Sequence, residues 1–512
     1  MRLIALAASA LAVAVCPIAA AQNETASDQT KLAMAAGYKA LFTCSATFNA
    51  NQSRAVIEAN ELDGIYPSYR PLLERVSEAN INERKRMVSV RFDRDLPPRI
   101  AAWRPGMGCS LLAVGAASKA ADWLPGFAGQ PEKTGRDTST ALGDRVMLTD
   151  NTLALDRLEA PVSFAFDGNT YGEGTRTSAV VIVHKGEVIA ERYGRGMGAD
   201  KPQRTWSVAK SLTATILGAA IQDGLIGLDN EAVIEDFNHG ADPRRAITLR
   251  NLLNMASGLE SGTRGSRTDR VYFGGVKVMD MVRARLLEAE PGTRFKYSNY
   301  DILIAMRYLR EALDDDAKYH RYPYTAVLDK IGATNTILET DWDGDFVSSS
   351  QIWMTARDMA RLGQLYLQDG HWGGEQILPN NWIKFVSTPA AAQPSSGDFG
   401  YGGAFWLLGG VDGAPSDTYA GLGNRGQHMV IIPSRDLVIV RRGYDVAGLP
   451  HFEIARLVGD IVAVLDQIEQ EKLAATMAAD AEEAAEMAAS AATAVTRENQ
   501  RNFVRSKVGR RD

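Results

Sequence analysis

The sequence predicts a mixed α/β (α+β) domain whose sheet is assembled from segments far apart in the chain. Three observations carry that expectation. Ser178 to Glu191 is β-branched around Val180-Val181-Ile182-Val183 and breaks at Lys185-Gly186 before Glu187-Val188-Ile189-Ala190, which reads as a hairpin of two buried strands. Far downstream, His428 to Ile432 and Leu437 to Arg441 read as strands around the turn Pro433-Ser434-Arg435-Asp436. Between these pairs, apolar residues recur at helical rather than strand spacing.

The chain opens with Met1-Arg2, an apolar stretch from Leu3 to Val15, and Ala19-Ala20-Ala21 before Gln22. A positive start, a short apolar run and a small-residue end describe a cleavable secretory signal over 1–21, hence a periplasmic or secreted product. No later stretch of about 18 apolar residues follows, so no integral membrane segment is expected after cleavage. Val15 stands before Cys16 where a lipoprotein signal wants a small residue, which argues against lipidation. Cleavage leaves Cys44 and Cys109, an even pair in an oxidising compartment. A disulfide is expected, with two buried thiols as the alternative. Residues 22–145 mix short apolar runs with charge clusters such as Glu83-Arg84-Lys85-Arg86 and read as an N-terminal accessory region. It closes in a linker or surface loop over Gly126 to Arg145.

The domain over 146–466 contains the hairpin and then three helices. Ser207 to Gly224 places Leu212, Ile216, Leu217, Ala220 and Ile221 near helical spacing and stops at Asp223-Gly224. Asn299 to Leu313 runs into Asp314-Asp315-Asp316, and Thr355 to Leu367 ends at Asp369-Gly370. Ile454 to Ile468 is an apolar helix expected to pack on the domain. Residues 467–512 form a tail: Glu471 to Val495 is a strong helix former dominated by Ala, Glu and Met. Its basic end, Arg501 to Arg510, is expected to be mobile. Alanine at most core positions would make any coiled coil of this tail weak.

Composition excludes several functions. The 512 residues carry a formal net charge of -6, with the basic residues dispersed, so no nucleic-acid partner is expected. Cys-x-x-Cys and His-Glu-x-x-His are absent, and His184, His239, His320, His371, His428 and His451 show no metal spacing, so neither metal nor cofactor is expected. No serine sits in Gly-x-Ser-x-Gly, which argues against a Ser-His-Asp hydrolase. Trp206, Tyr272, Trp353 and Trp406 could line a pocket, with core packing the preferred reading.

Chemistry concentrates in three places. Ser207-Val208-Ala209-Lys210 opens a helix, where residues three apart share a face and the amine can reach the hydroxyl. Serine needs a base to become a nucleophile, and lysine becomes one once burial disfavours its charged form. A capping serine with a solvated lysine is the bland alternative. Tyr297-Ser298-Asn299 precedes the second helix; a phenol near a lysine can shuttle a proton, and an amide can orient either partner. The alternative there is a helix cap with a packed tyrosine. In Tyr419-Ala420-Gly421-Leu422-Gly423-Asn424-Arg425-Gly426-Gln427, the glycines let a strand backbone approach a substrate and donate an amide to an oxyanion.

This order resembles the serine β-lactamase and penicillin-binding-protein superfamily, its class C-like esterases and 6-aminohexanoate-dimer hydrolase type in particular. Leu252-Leu253-Asn254-Met255-Ala256-Ser257-Gly258-Leu259 and Ala356-Arg357-Asp358-Met359-Ala360-Arg361-Leu362-Gly363 support the likeness, which spans roughly 150–465. The resemblance implies an antiparallel sheet flanked by helices, with an all-helical region beside it and the active site between. It implies Ser207 as acylated nucleophile, Lys210 as general base and Tyr297 as proton shuttle. The Ser207 and Leu422 amides would form the oxyanion hole, with Asn299, Tyr419 and Gly421 as substrate-binding or supporting positions. One departure bears on substrate: where β-lactamases and transpeptidases carry a Lys or His that holds a carboxylate, this chain has Tyr419. That favours a small ester or amide without a carboxylate there, unless Arg425 or His428 substitutes. The alternatives are a β-lactamase or D-Ala-D-Ala peptidase, and a catalytically silent binding protein on the same scaffold.

Overall fold

The computed structural model describes residues 27–127, 152–231, 233–260, 268–397, 399–449 and 451–508. The expected signal over 1–21 and most of the expected linker, from 128 onward, lie outside the described residues.

Helix α1 (Asp28–Phe48) begins where the Ser27 hydroxyl accepts the Thr30 amide. Its buried alanines let it lie close on a four-stranded antiparallel sheet of β1 (Asn80–Asn82), β2 (Met87–Val90), β3 (Arg99–Arg104) and β4 (Gly108–Leu111). The Cys44–Cys109 disulfide ties α1 to β4 across a separation of 65 residues. Closing a loop that long is worth about 4 kcal/mol on the chain-entropy model.

After α2 (Thr152–Phe166) come β5 (Thr177–His184) and β6 (Glu187–Tyr193), the expected hairpin. Helix α3 (Val208–Gln222) leads to the helical region that includes α4 (Asn299–Leu313) and then to α5 (Ala356–Leu367). The chain returns to the sheet as β7 (Gly400–Tyr401), β8 (Trp406–Leu407), β9 (Tyr419–Gly423), β10 (Gln427–Ile432) and β11 (Leu437–Gly443). The seven strands run antiparallel in the order β7-β8-β9-β10-β11-β5-β6, so the first hairpin pairs with the last strand. β6 is an edge strand and half-buried, unlike its buried partner β5.

Alternation decides the layers. Val181 and Val183 of β5, Met429 and Ile431 of β10, and Val438 and Val440 of β11 face α3 and α5. Val180, Ile182, Val430, Ile432 and Ile439 face α2 and the first turns of α6 (Ile454–Val508). Burial on both faces explains why the Val180-Val183 run is apolar throughout instead of alternating.

Two composition boundaries are not packing boundaries. Tyr38, Phe42 and Val88 of the N-terminal region belong to the same hydrophobic core as Trp206, Leu212 and Met429. The buried Glu339 carboxylate joins the two parts, accepting from Ser45 Oγ at 2.6 Å, Asn49 Nδ2 at 2.8 Å and the Cys109 amide at 3.0 Å. Likewise α6 continues unbroken past 467 to Val508, although burial ends at Ile468. The basic segment expected to be mobile is therefore helical as far as Val508; the sequence has no Gly or Pro between Glu471 and Val508 to stop the helix.

Candidate active site

Ser207 stands immediately before α3, in helical conformation (φ -74°, ψ -6°), and its hydroxyl makes no capping bond. The bland reading of a capping serine therefore fails, and the half-buried hydroxyl remains open to chemistry. Trp206 before it sits at φ +49°, a conformation that costs a branched or bulky side chain strain. The packing that holds it comes partly from the N-terminal region. Its ring lies 5.9 Å from that of Phe42 and edge-on to Tyr66 at 6.1 Å, with the Arg204 guanidinium 3.9 Å over its face.

Lys210 lies one turn on, 1% exposed. Its Nζ is 3.1 Å from Ser207 Oγ, 2.6 Å from Asn299 Oδ1 and 2.9 Å from the Ser349 carbonyl. The amide oxygen and the carbonyl only accept, so they take two N–H bonds. A neutral amine has two N–H groups and one lone pair, and the lone pair is then left facing the serine hydroxyl. Burial pushes the amine down to about 7, against the opposing pull of the Asp301 carboxylate.

Asn299 is fixed in turn, its Nδ2 donating to Thr268 Oγ1 at 3.1 Å. Tyr297 places its ring centroid 4.9 Å from Lys210 Nζ and hydrogen-bonds Ser207. Burial raises its phenol far above the neutral range, outweighing the Ser207 contact, so the phenol holds its proton. Phenol and amine thus differ in kind: one is a proton donor at neutral pH, the other an available base.

Tyr297 also forms part of an aromatic wall. Trp406 lies 5.4 Å from it and Tyr401 6.1 Å, with Phe295 packed on both. Trp206, Tyr272 and Trp353 are buried as the packing reading expects, whereas Trp406 is half-exposed beside Tyr297.

The third motif passes directly over α3. A Cβ on Gly421 would meet Ser211 Oγ at 2.8 Å and Val208 Cγ1 at 3.2 Å; one on Gly423 would meet the Thr205 carbonyl at 2.5 Å and the Ser207 amide at 3.1 Å. Only glycine permits this approach. β8 pairs with β9 at Tyr419 and Ala420 alone, so the edge from Gly421 to Gly423, Leu422 included, has no strand partner on that side among the described residues. The expectation for Tyr419 is corrected: it is 1% exposed and packs against Tyr366 and Phe405 beneath the sheet, because alternation turns it toward α5. Gly421 likewise serves helix packing. Neither proposed replacement cation is free. Arg425 is 3% exposed and donates to the Asp63, Tyr444 and Asp445 carbonyls. His428 is held neutral, down to about 3, by burial and then by Arg441.

Sequence reading missed Ser349, Thr268 and Asp301. The signal for Ser349 was the run Ser348-Ser349-Ser350, whose hydroxyl side chains all sit in the core. Asp301, 1% exposed, accepts from Ser257 Oγ at 2.9 Å, and burial raises it to about 7. Its charge raises Lys210, so Asp301→Asn is expected to move the acid limb of kcat/KM to lower pH, with the Ser257 bond kept by the amide oxygen. A pH–rate profile whose limb stays put or rises would refute this coupling.

The family model for Beta-lactamase matches residues 156–441. A 6-aminohexanoate-dimer hydrolase of Paenarthrobacter ureafaciens is 26% identical over 313 residues, 52% of this chain and 73% of that one. Among solved structures, a putative 6-aminohexanoate-dimer hydrolase from Bacillus anthracis superposes with TM-score 0.51 at 23% identity, over 60% of this chain and 82% of its own. A penicillin-binding-protein homologue from Caulobacter crescentus does so with TM-score 0.50 at 15% identity, over 60% and 98%. With the family model covering more than half of its length, the chain belongs to the beta-lactamase family of hydrolases.

Proposed function

We propose that this protein is a serine hydrolase that cleaves a small ester or amide through an acyl-enzyme on Ser207. The observation that carries the reading is the hydrogen-bond inventory of Lys210: two fixed acceptors and one hydroxyl around a buried amine leave a lone pair for the serine proton. Lys210 takes that proton as Ser207 Oγ attacks the acyl carbon. Tyr297, which keeps its proton at neutral pH, hands it to the leaving group and is reprotonated from Lys210. The Ser207 amide and the open-edge Leu422 amide hold the oxyanion. Water then releases the acyl group by the same steps in reverse roles.

The substrate class follows from what surrounds the serine. With Tyr419 in the core and Arg425 and His428 both engaged or neutral, the third motif offers no cation to a substrate carboxylate. The Trp406–Tyr297–Phe295 wall favours an uncharged, apolar acyl or leaving group. An ester or neutral amide therefore fits better than a β-lactam or a D-Ala-D-Ala peptide. Export is part of the proposal: the Cys44–Cys109 disulfide supports an oxidising compartment.

Rapid mixing with p-nitrophenyl butyrate is expected to give a product burst equal to the enzyme concentration, followed by slower turnover. Neither burst nor turnover with this ester, with short amides or with nitrocefin would leave a binding protein on a hydrolase scaffold.

A further inference from the structure

We propose that the projecting half of α6 pairs, antiparallel, with the same helix of a second copy of this chain. Every described side chain from Glu471 to Arg505 is exposed, and the helix runs on to Val508. At 1.5 Å per residue this arm reaches roughly 55 Å beyond the body. A helix wholly in water draws little stability from propensity alone and ordinarily gains it by burying one face.

The face and the partner are both written in the arm. Ala474, Met477, Ala481, Ala484, Ala488, Ala491 and Val495 follow in alternating steps of three and four, the repeat of a two-helix seam. Alanine makes each contact weak, as the sequence suggests, but it also lets two backbones approach closely. Charge then selects the occupant. Asp480, Glu482, Glu483 and Glu486 make the first part acidic, whereas Glu471 at its root is already paired with Arg157 of α2. Arg497, Arg501, Arg505 and Lys507 make the last part basic, opposed only by Glu498. Met487 to Thr496 between them carries no charge. Parallel pairing would set acid against acid and base against base. Antiparallel pairing sets each acidic half on the other copy's basic half, crosses at the small uncharged centre, and holds the two bodies at opposite ends. An anionic lipid surface suits the basic half alone and repels the acidic one.

Sedimentation equilibrium of the full chain tests this. A dimer is expected whose dissociation constant weakens by about tenfold or more when salt is raised to roughly 0.5 M, since the pairs are exposed. Reversing the basic residues (R497E, R501E, R505E and K507E together) is expected to give a monomer, as is reversing the acidic ones (D480K, E482K, E483K and E486K together). Mixing the two variants is expected to restore a dimer. None of the eight residues belongs to the candidate site, and circular dichroism with the thermal midpoint reports that each variant is folded. A wild-type monomer at tens of micromolar overturns the proposal; so does a dimer indifferent to both reversals, or a monomer that instead binds phosphatidylglycerol vesicles. Met477→Cys should form no intersubunit disulfide, and one that forms readily would overturn the antiparallel arrangement.

Discussion

Ser207→Ala is expected to abolish the burst with p-nitrophenyl butyrate and to lower kcat by roughly 10⁴-fold or more, while the protein stays folded. The size follows from covalent catalysis: without the hydroxyl, water must attack unaided, and only binding and the oxyanion donors remain. The retained fold follows from local structure. Ser207 makes no capping bond, so alanine removes no hydrogen bond that α3 depends on. Its one close side-chain contact from the base, Lys210 Nζ at 3.1 Å, is lost, but that amine keeps Asn299 and Ser349. Circular dichroism and the thermal midpoint are expected to match the unsubstituted protein. Full activity in a folded Ser207→Ala variant would sink the assignment, and an unfolded variant would call for Ser207→Gly and Ser207→Cys in its place.

The parts of this molecule that were legible in the sequence are those where one local rule governs. α4 begins at Asn299 and ends at Leu313, because Ser298 caps it and Asp314 adopts a left-handed turn that stops it. The hairpin and the β10–β11 pair were legible because β-branched runs are broken by clear turns. Ser207, Lys210, Tyr297 and Asn299 were legible as residues because their spacing is local, three along a helix or two across its start. What the sequence hid is long-range. Ser349 meets Lys210 through its carbonyl, a group every residue carries, so the serine run around it marks the place without saying what it does there. Asp301 looks like an ordinary first-turn acid, favourable to the helix dipole; only tertiary packing makes it a buried carboxyl beside a buried amine. Tyr419 was misread because a strand shows two faces and the sequence does not say which one meets α3. The N-terminal region was set apart by its charge clusters, yet Tyr38 and Phe42 lie in the core beside Trp206.

That last contact sets side chains of the N-terminal region against the residue that precedes Ser207. Trp206 is held at positive φ by a stack of Phe42, Arg204 and Tyr66, two of them from outside the catalytic segments. The Ser207 amide, an expected oxyanion donor, directly follows that strained residue. The aromatic packing across the two regions thus ends one residue before the nucleophile.

Lys210→Arg is expected to lower kcat by about 10³-fold at every pH at which the protein is stable, and to lower the thermal midpoint, since a permanent charge replaces an amine that burial disfavours when charged. Arginine keeps hydrogen-bond donors in the same place but stays charged at every such pH and has no lone pair to take the serine proton, so it separates base from binder. In the unsubstituted enzyme the same logic sets the pH dependence. With the amine lowered to about 7, kcat/KM should rise tenfold per unit below that pH and level off above it. The fold bears the cost of this arrangement. The amine's ordinary value is 10.5 and burial lowers it, so between about 7 and 10.5 the unfolded chain holds a proton that the folded one does not. Folding stability therefore rises with pH across that window, and the site gives up on the order of 5 kcal/mol at and below its lower end. Tyr297 cannot replace Lys210 as base, because burial drives its phenol upward. A Lys210→Arg variant with near-full activity would transfer the base to another group, and an acid limb several units below 7 would mean that the amine is charged when the serine reacts.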